Sequence, residues 1–435
     1  MTKKIHLIGI GGIGMSALAQ YYLSQGLIVS GSDLSESETI NLLRKKKIKV
    51  MIGPHKESNL DLETNLVVYS PAVDNKNPEL KKALKNEMEV KSYPQALGDL
   101  TKKYFTIAVS GTHGKSTTSS MISLILAENN LDPTVIIGTK LKEFNDSNFR
   151  AGKSKYLVIE ADEYKRSFLH YKPDILIITN IEEDHLDYYQ DIKDIMKAFK
   201  EYIKKIKKNG VLIINNDDKN ARKITRESIK YSIKDTEKIT LQVPGEHNLS
   251  NALAALTCAR VLGIKDKDAI KTLSCFKGSW RRFEVFPLKN ITLVSDYAHH
   301  PTEIEKTLKA ALEKYPDKRI RCVFQPHQYE RTMRLLDDFV RVFRQNEINE
   351  IIICDVYDVA GRESKQAKKK IDSQKMVKLI NQRNVKYKKT LKQAENYIKK
   401  TFKKDEVLIV MGAGDIYNLF LDLRKFFDLT KKKKN

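Results

Sequence analysis

The sequence predicts an α/β protein of three domains, each built on a mainly parallel sheet. Three observations carry that prediction. Short apolar runs alternate with helical runs along the whole chain, the pattern of strand–helix–strand units. Two glycine-rich loops each follow an apolar run and precede a helical one, at Gly9 to Gly14 and at Gly111 to Gly114. Acid- and histidine-rich clusters follow later apolar runs, where parallel sheets gather ligands at their carboxyl edge.

The first domain, residues 1–99, opens with a strand at Lys4 to Ile8, the loop Gly9 to Gly14, and a helix at Met15 to Ser24. A second strand at Leu27 to Gly31 runs into Ser32 and Asp33. Strand, G-x-G-x-x-G turn, helix and an acid at the next strand end make a Rossmann-like start. Taken alone, that start would also suit an NAD-dependent dehydrogenase. Further strands are expected at Ile48 to Ile52 and Leu66 to Tyr69. The turn-rich stretch from Ser92 to Ala96 reads as the approach to a linker near residue 100.

The second domain, residues 100–277, begins with an apolar run at Phe105 to Val109 and the segment Gly111, Thr112, His113, Gly114, Lys115, Ser116, Thr117. A glycine loop at a helix N-terminus turns backbone N–H groups toward a phosphate. Lys115 adds a positive charge there, and Ser116 offers a hydroxyl to Mg²⁺. The spacing is a variant, with Val109 where the strict pattern has Gly. The alternative is a tight strand–helix turn with an exposed lysine. Placement between strand and helix favours a P-loop ATPase-like domain.

Strands follow at Thr134 to Ile137, Tyr156 to Glu160, Asp174 to Thr179 and Val211 to Ile214. Glu160 to Glu163 ends one of them, and Asn180 to His185 ends another. Carboxylates and an imidazole beside a phosphate loop suggest metal ligation. Hard Mg²⁺ favours the oxygens of Ser116 and Glu160. Taken singly, His185 reads more readily as a helix-start residue than as a ligand; its loop falling on the same edge as the glycine loop and Glu160 favours the functional reading. A long helix at Leu249 to Leu262 follows Pro244 to Asn248.

The third domain, residues 278–435, is again expected to be α/β, with strands at Ile291 to Ser295, Arg321 to Phe324, Ile351 to Cys354 and Val407 to Met411. Asp296 to Pro301 follows the first of these. Its acid and two histidines would orient a small polar substrate, or form only a polar turn stopped by Pro301. His327 and Arg331 lie past the next strand, and an arginine fork suits a carboxylate. Arg281 and Arg282, near the domain border, could reach phosphates.

Lys and Arg number 78 against 55 Asp and Glu, a net charge of +23. Such an excess can mark a nucleic-acid binder. Here the lysines spread over helical runs such as Phe199 to Lys208 and Lys365 to Lys378, and a tail at Lys431 to Lys434. Aromatics do not interleave them as single-strand binders require. No stable nucleic-acid partner is expected, and a basic balance suits anionic nucleotide substrates. No apolar run approaches the ~18 residues of a membrane span, so a cytoplasmic protein without membrane insertion is expected. Cys258, Cys275, Cys322 and Cys354 lack C-x-x-C spacing and read as buried thiols.

Taken together, Gly111 to Lys115, Glu160 to Glu163, Asn180 to His185, Pro244 to Asn248, Arg281 to Phe283 and Asp296 to Glu303 resemble the Mur ligases, ATP-dependent amide ligases of peptidoglycan synthesis. The resemblance runs from residue 4 to near residue 422. It implies that the first domain holds the UDP part of a sugar nucleotide at Gly11, Gly12, Ile13, Ser32, Asp33 and Ser70. It implies ATP at Gly111 to Thr117 and Asn180, with His247, Asn248 and Asn251 on the adenine side and Arg282 and Asp296 contributed by a third, Rossmann-like domain.

It implies Mg²⁺ at Ser116, Glu160 and His185, and an amino acid at Tyr297, His299, His327 and Arg331. Lys115, Glu160, His185 and His299 would be the catalytic residues. The run from His299 to Glu303 is similar to the branch that joins L-alanine to UDP-N-acetylmuramate. The murein tripeptide recycling ligases share it, but tend to carry an insertion where this chain has the compact stretch Ser167 to Pro173. A monomer or weak homodimer is expected. Three departures stand out: Lys165 in place of an acid, Gln328 in place of an arginine, and a short segment after Tyr231, where a small sheet of the central domain is expected to be missing.

Overall fold

In the computed structural model, residues 2–224, 227–235, 239–358 and 365–429 are described, so the lysine tail at 431–434 lies outside them. The described residues form three sheets. The first contains β1 (Lys4–Ile8), β2 (Ile28–Asp33), β3 (Lys49–Ile52), β4 (Leu66–Tyr69) and β5 (Glu89–Ser92). Its order is β3-β2-β1-β4-β5, and every pair is parallel. The order reverses at β1, so the loop after β1 emerges at the switch point where ligands bind in open α/β sheets.

The second sheet contains β6 (Phe105–Ser110), β7 (Thr134–Leu141), β8 (Ser147–Arg150), β9 (Tyr156–Glu160), β10 (Ile175–Ile178), β11 (Val211–Asn215) and β12 (Ile229–Tyr231). Its order is β12-β11-β10-β6-β9-β7-β8, parallel except for β8 against β7. The third contains β13 (Glu284–Pro287), β14 (Ile291–Asp296), β15 (Ile320–Phe324), β16 (Glu350–Cys354), β17 (Val385–Lys388) and β18 (Glu406–Met411). Its order is β13-β14-β18-β15-β16-β17, parallel except for β13. Among the described residues no strand lies between Tyr231 and Glu284.

Five strands went unforeseen, β5, β8, β12, β13 and β17, and each is a sheet edge. An edge strand such as Glu89–Ser92 buries little, so it needs no apolar run to announce it. The expected linker approach is instead the end of β5 and a helix, Tyr93–Lys103. Gln95 caps it by accepting the Ser92 N–H at 2.8 Å, and Pro94 is tolerated in the first turn. The helix expected over Lys365 to Lys378 is two, Lys365–Lys370 and Ser373–Ile380, because Asp372 accepts the Lys375 N–H and starts a second one. The helix expected at Phe199 to Lys208 lies earlier, at Ile192–Ile203. Cys258, Cys322 and Cys354 are buried, but Cys275, at the end of the helix Asp266–Cys275, is exposed.

The chain divides into two compact units, one of residues 1–181, 196–236 and 251–273, the other of 182–195, 237–250 and 274–435. The first two sheets share a unit because polar side chains of β8 dock on the opening helix, Ile13–Ser24. Asn148 donates to the Ile13 carbonyl at 2.5 Å and to Ser16 Oγ at 3.0 Å, and accepts from Gln20 at 3.0 Å. Tyr21 packs edge-on against Phe149 and Tyr104. Asn148 is 1% exposed. Replacing it by Ala leaves buried donors and acceptors unmatched, so Asn148→Ala should lower the unfolding free energy by roughly 1–3 kcal/mol. Urea denaturation checks this.

Candidate active site

The first unit holds two glycine loops. Loop Gly9–Gly14 is gripped by the end of β2. The Ser32 carbonyl accepts the N–H groups of Gly9 at 2.8 Å and Ile10 at 3.1 Å, and Asp33 Oδ2 accepts that of Gly11 at 2.8 Å. Gly12 precedes the opening helix and Ile13 begins it. Ser70 follows β4, with its N–H on the Ile8 carbonyl. Gly11, Gly12, Ile13, Ser32, Asp33 and Ser70 therefore meet at one edge of the first sheet. Ser32, however, is 1% exposed, and its hydroxyl donates inward to Glu79 Oε2 at 2.7 Å. Asp33 directs its other oxygen to the Leu34 N–H. The Asp33 carboxylate and the Ser32 carbonyl thus hold the loop.

The second loop follows β6 and leads into the helix Lys115–Glu128. Gly111 has φ +130° and Gly114 φ +83°, and a Cβ would strike Thr179 at the first and Asn251 at the second. No L side chain fits either position. Asn180, just past β10, clamps the loop. Its carbonyl accepts the Thr112 N–H at 3.0 Å, its Oδ1 accepts the His113 N–H at 2.9 Å, and its Nδ2 donates to the His113 carbonyl at 3.0 Å. Thr117 lies buried in the first helical turn. Asn251 accepts from Thr118 Oγ1 at 3.2 Å.

Lys115 Nζ lies on the Gly111 carbonyl at 2.6 Å and on Glu163 Oε2 at 2.9 Å. Burial works against its charge, but Glu163, Asp162 and Glu160 outweigh burial and keep it protonated. Ser116 Oγ donates to Glu160 Oε2 at 3.0 Å, while Glu160 Oε1 accepts the Gly138 N–H at 2.6 Å. A hydroxyl and a carboxylate oxygen so close form a hard oxygen donor pair that suits Mg²⁺.

The second unit assembles the remaining candidates. Asp296, at the end of β14, accepts the N–H groups of Phe283 and Ala298, both at 2.7 Å. Burial pushes its carboxyl up to about 6, against the pull of Arg282 and those two N–H groups. The Arg282 guanidinium lies 5.0 Å from the Tyr297 ring centre and 3.8 Å from Glu303. His299 Nδ1 is 3.0 Å from the Tyr297 carbonyl and 3.3 Å from Glu303. The His299 ring meets that of His327 edge-on at 5.9 Å, and His327 stacks on Tyr357 at 5.5 Å.

Arg331 directs Nε and Nη2 to Asp184 Oδ1 at 3.1 and 3.0 Å, with Nη1 toward His327. Burial opposes the Asp184 charge, yet Arg331 and the histidines around it hold that carboxyl well below the usual range. His185 follows with φ +53° and its N–H on Asp184 Oδ1. Asn248 donates to the Pro244 carbonyl at 2.7 Å at the start of the helix Glu246–Val261. Gln328 and Lys165, two of the departures, both carry positive φ.

Residue patterns in the sequence alone did not reveal the roles of Glu163, Asp184 and Glu303 as partners of Lys115, Arg331 and His299. Each stands inside a cluster already marked, but which member pairs with which cation depends on loop geometry. Glu79 was missed outright. The available signal was His6, a polar residue inside the apolar strand β1.

Residues 4–105 match the Mur ligase family, catalytic domain; residues 109–237 the Mur ligase middle domain; and residues 281–414 the Mur ligase, glutamate ligase domain. A UDP-N-acetylmuramate–L-alanine ligase of Clostridium acetobutylicum is 40% identical, over 96% of this chain and 97% of its own. The chain belongs to the Mur ligase family. Among solved Mur ligases, the UDP-N-acetylmuramate–alanine ligase of Thermotoga maritima superposes with a TM-score of 0.84 at 27% identity, covering 98% of this chain and 99% of its own. A murein peptide ligase of Psychrobacter arcticus shares the fold, with a TM-score of 0.74 at 23% identity over 98% of this chain and 99% of its own. The family is ATP-dependent, which agrees with a second, lysine-bearing glycine loop.

Burial holds His247 and His299 down to about 4, with Arg282 and Lys306 adding to the effect at His247 and Arg331 at His299, against the opposing pull of Glu303. The unfolded chain takes those protons from about pH 6.5, whereas the folded one refuses them until about pH 4. Stability is thus full above pH 6.5 and falls as pH drops toward 4, by on the order of 2–3 kcal/mol per imidazole. Thermal melts across this range should show the fall, and His247→Asn should make it shallower.

Proposed function

We propose that this Mur ligase joins L-alanine to the lactyl carboxylate of UDP-N-acetylmuramate, with ATP converted to ADP and phosphate. The observation that carries the reading is two separate glycine loops in one unit. One sits at the switch point of the first sheet, and the other bears Lys115 and the Ser116–Glu160 pair. The names and full-length match of the alanine-adding relatives support the choice of substrates. A dehydrogenase needs no second loop. The carboxylate of Asp33 also already accepts two backbone N–H groups.

A carboxylate is a poor electrophile, so its activation as an acyl phosphate by the γ-phosphate precedes attack by the amine. Lys115, charged and anchored by Glu163, offsets the repulsion between the two anions. Ser116 and Glu160 would hold Mg²⁺, with His185 as a third ligand suggested by family resemblance; bound Mg²⁺ supplies further charge neutralisation. Tyr297, His299, His327 and Arg331 position the amino acid, with His299 a neutral imidazole at pH 7. Holding three substrates in register supplies much of the acceleration. His247, Asn248, Asn251, Arg282 and Asp296 are assigned to ATP. An ATP-consuming step on a nucleotide-linked sugar fits the cytoplasm.

Two measurements check the reading. Phosphate release should require UDP-N-acetylmuramate and L-alanine together; release that needs the tripeptide and ignores L-alanine would reassign the chain to peptide recycling. Lys115→Ala should abolish ATP turnover while UDP-sugar affinity stays within about twofold, because the nucleotide sugar has its own loop. Equal loss of both would show that one loop serves both ligands.

A further inference from the structure

Glu79 lies on the helix Pro78–Lys85 of the first unit and is wholly buried. Its Oε2 accepts from Ser32 Oγ at 2.7 Å and lies 2.9 Å from His6 Nε2. Its Oε1 accepts from Asn59 Nδ2 at 2.7 Å and lies 2.9 Å from His55 Nδ1. His6 Nδ1 in turn meets Ser30 Oγ at 2.9 Å, and Ser32 Oγ lies 3.2 Å from His55 Nδ1. Burial alone would raise the Glu79 carboxyl, but these side-chain hydrogen bonds outweigh burial and hold it at about 2.

Taking a carboxylate out of water is costly, and well-packed apolar residues commonly serve stability as well or better. The location of the donors gives the charge another use. His6 and Ser30 sit within β1 and β2, Ser32 near the carboxyl end of β2, and His55 beyond the end of β3. The network thus runs from the middle of the sheet to its ligand-binding edge. There the Ser32 carbonyl also carries Gly9 and Ile10 of the opening loop. His55, with 14% of its side chain exposed, is the histidine of the pair that solvent reaches.

We propose that Glu79 is the positioning residue of the sugar-nucleotide site, its buried carboxylate fixing Ser32, and through it the opening loop, together with His55 against the nucleotide part of the substrate. This rests on the reading of the first sheet as the UDP-sugar platform. Loss of the charge should loosen that edge while the ATP loop stays intact.

The test is steady-state kinetics with UDP-N-acetylmuramate, ATP and L-alanine, paired with calorimetric binding of UDP alone. Glu79→Gln keeps shape but loses acceptor capacity. It should raise the KM for the sugar nucleotide and the Kd for UDP by roughly tenfold, the scale of a hydrogen bond to a charged group. The KM values for ATP and L-alanine and the kcat should stay within about twofold to threefold. The effects of Glu79→Gln and Ser32→Ala should be less than additive, since they act through one hydrogen bond.

If Glu79→Gln does not accumulate folded, His55→Ala leaves the buried charge its other donors and should raise the same KM. Unchanged KM and Kd in a folded, active variant, or a fall in kcat alone, overturns the proposal. A wild-type enzyme inactive with UDP-N-acetylmuramate overturns the functional reading instead.

Discussion

Parallel pairing of β6 with β10 on one side and β9 on the other is the constraint on which the rest of the central sheet depends. Ser110 lies opposite Ile178, and Val109 opposite Glu160. In that register the three following loops leave the sheet at one level. Asn180 can then clamp Thr112 and His113, Glu160 can reach Ser116, and Glu163 can reach Lys115. A one-residue slip would turn Glu160 to the opposite face. The strands themselves are buried and apolar, so polar chemistry is confined to their ends.

The same edge is furnished differently in each sheet. In the first, a buried acid is offset by histidine, serine and asparagine, and the loop it supports relies on backbone N–H groups. In the second, a buried lysine is held charged by acids around it. In the third, burial disfavours the charged form of the His299 imidazole, while the Arg331 guanidinium pairs with Asp184. These choices suit the proposed assignment of a nucleotide sugar to the first edge, a triphosphate to the second and a zwitterionic amino acid to the third. Electrostatics, rather than fold, differentiates three variations on one architecture.

Legibility in the sequence followed how local the determining physics is. Gly111 and Gly114 announce their loop because only glycine tolerates the positive φ and close approach found there. Central strands such as Ile175–Ile178 and Glu406–Met411 declare themselves through apolar runs. Edge strands such as Glu89–Ser92 and Val385–Lys388 do not, since most of their residues are only partly buried. The break at Asp372 was readable in principle, because Asp is a helix-starting residue. The lysine-rich sequence around it looked continuous.

Ion pairing was far less legible. Asp184 and Arg331 are remote in sequence, and their contact depends on how a loop after β10 folds onto the helix that follows β15. Arg321 likewise became fully buried between Glu350 and Glu406, though nothing in its strand marks it as different from a surface arginine. By itself, then, the sequence determined the α/β class, the order of the central strands along the chain, both glycine loops and the family, because each rests on local backbone chemistry or an ordered set of motifs. Tertiary structure alone decided which acid meets which cation, where Glu79 is hidden, and how Asn148 joins the first two sheets. Those outcomes depend on burial and on distances between residues far apart in the chain.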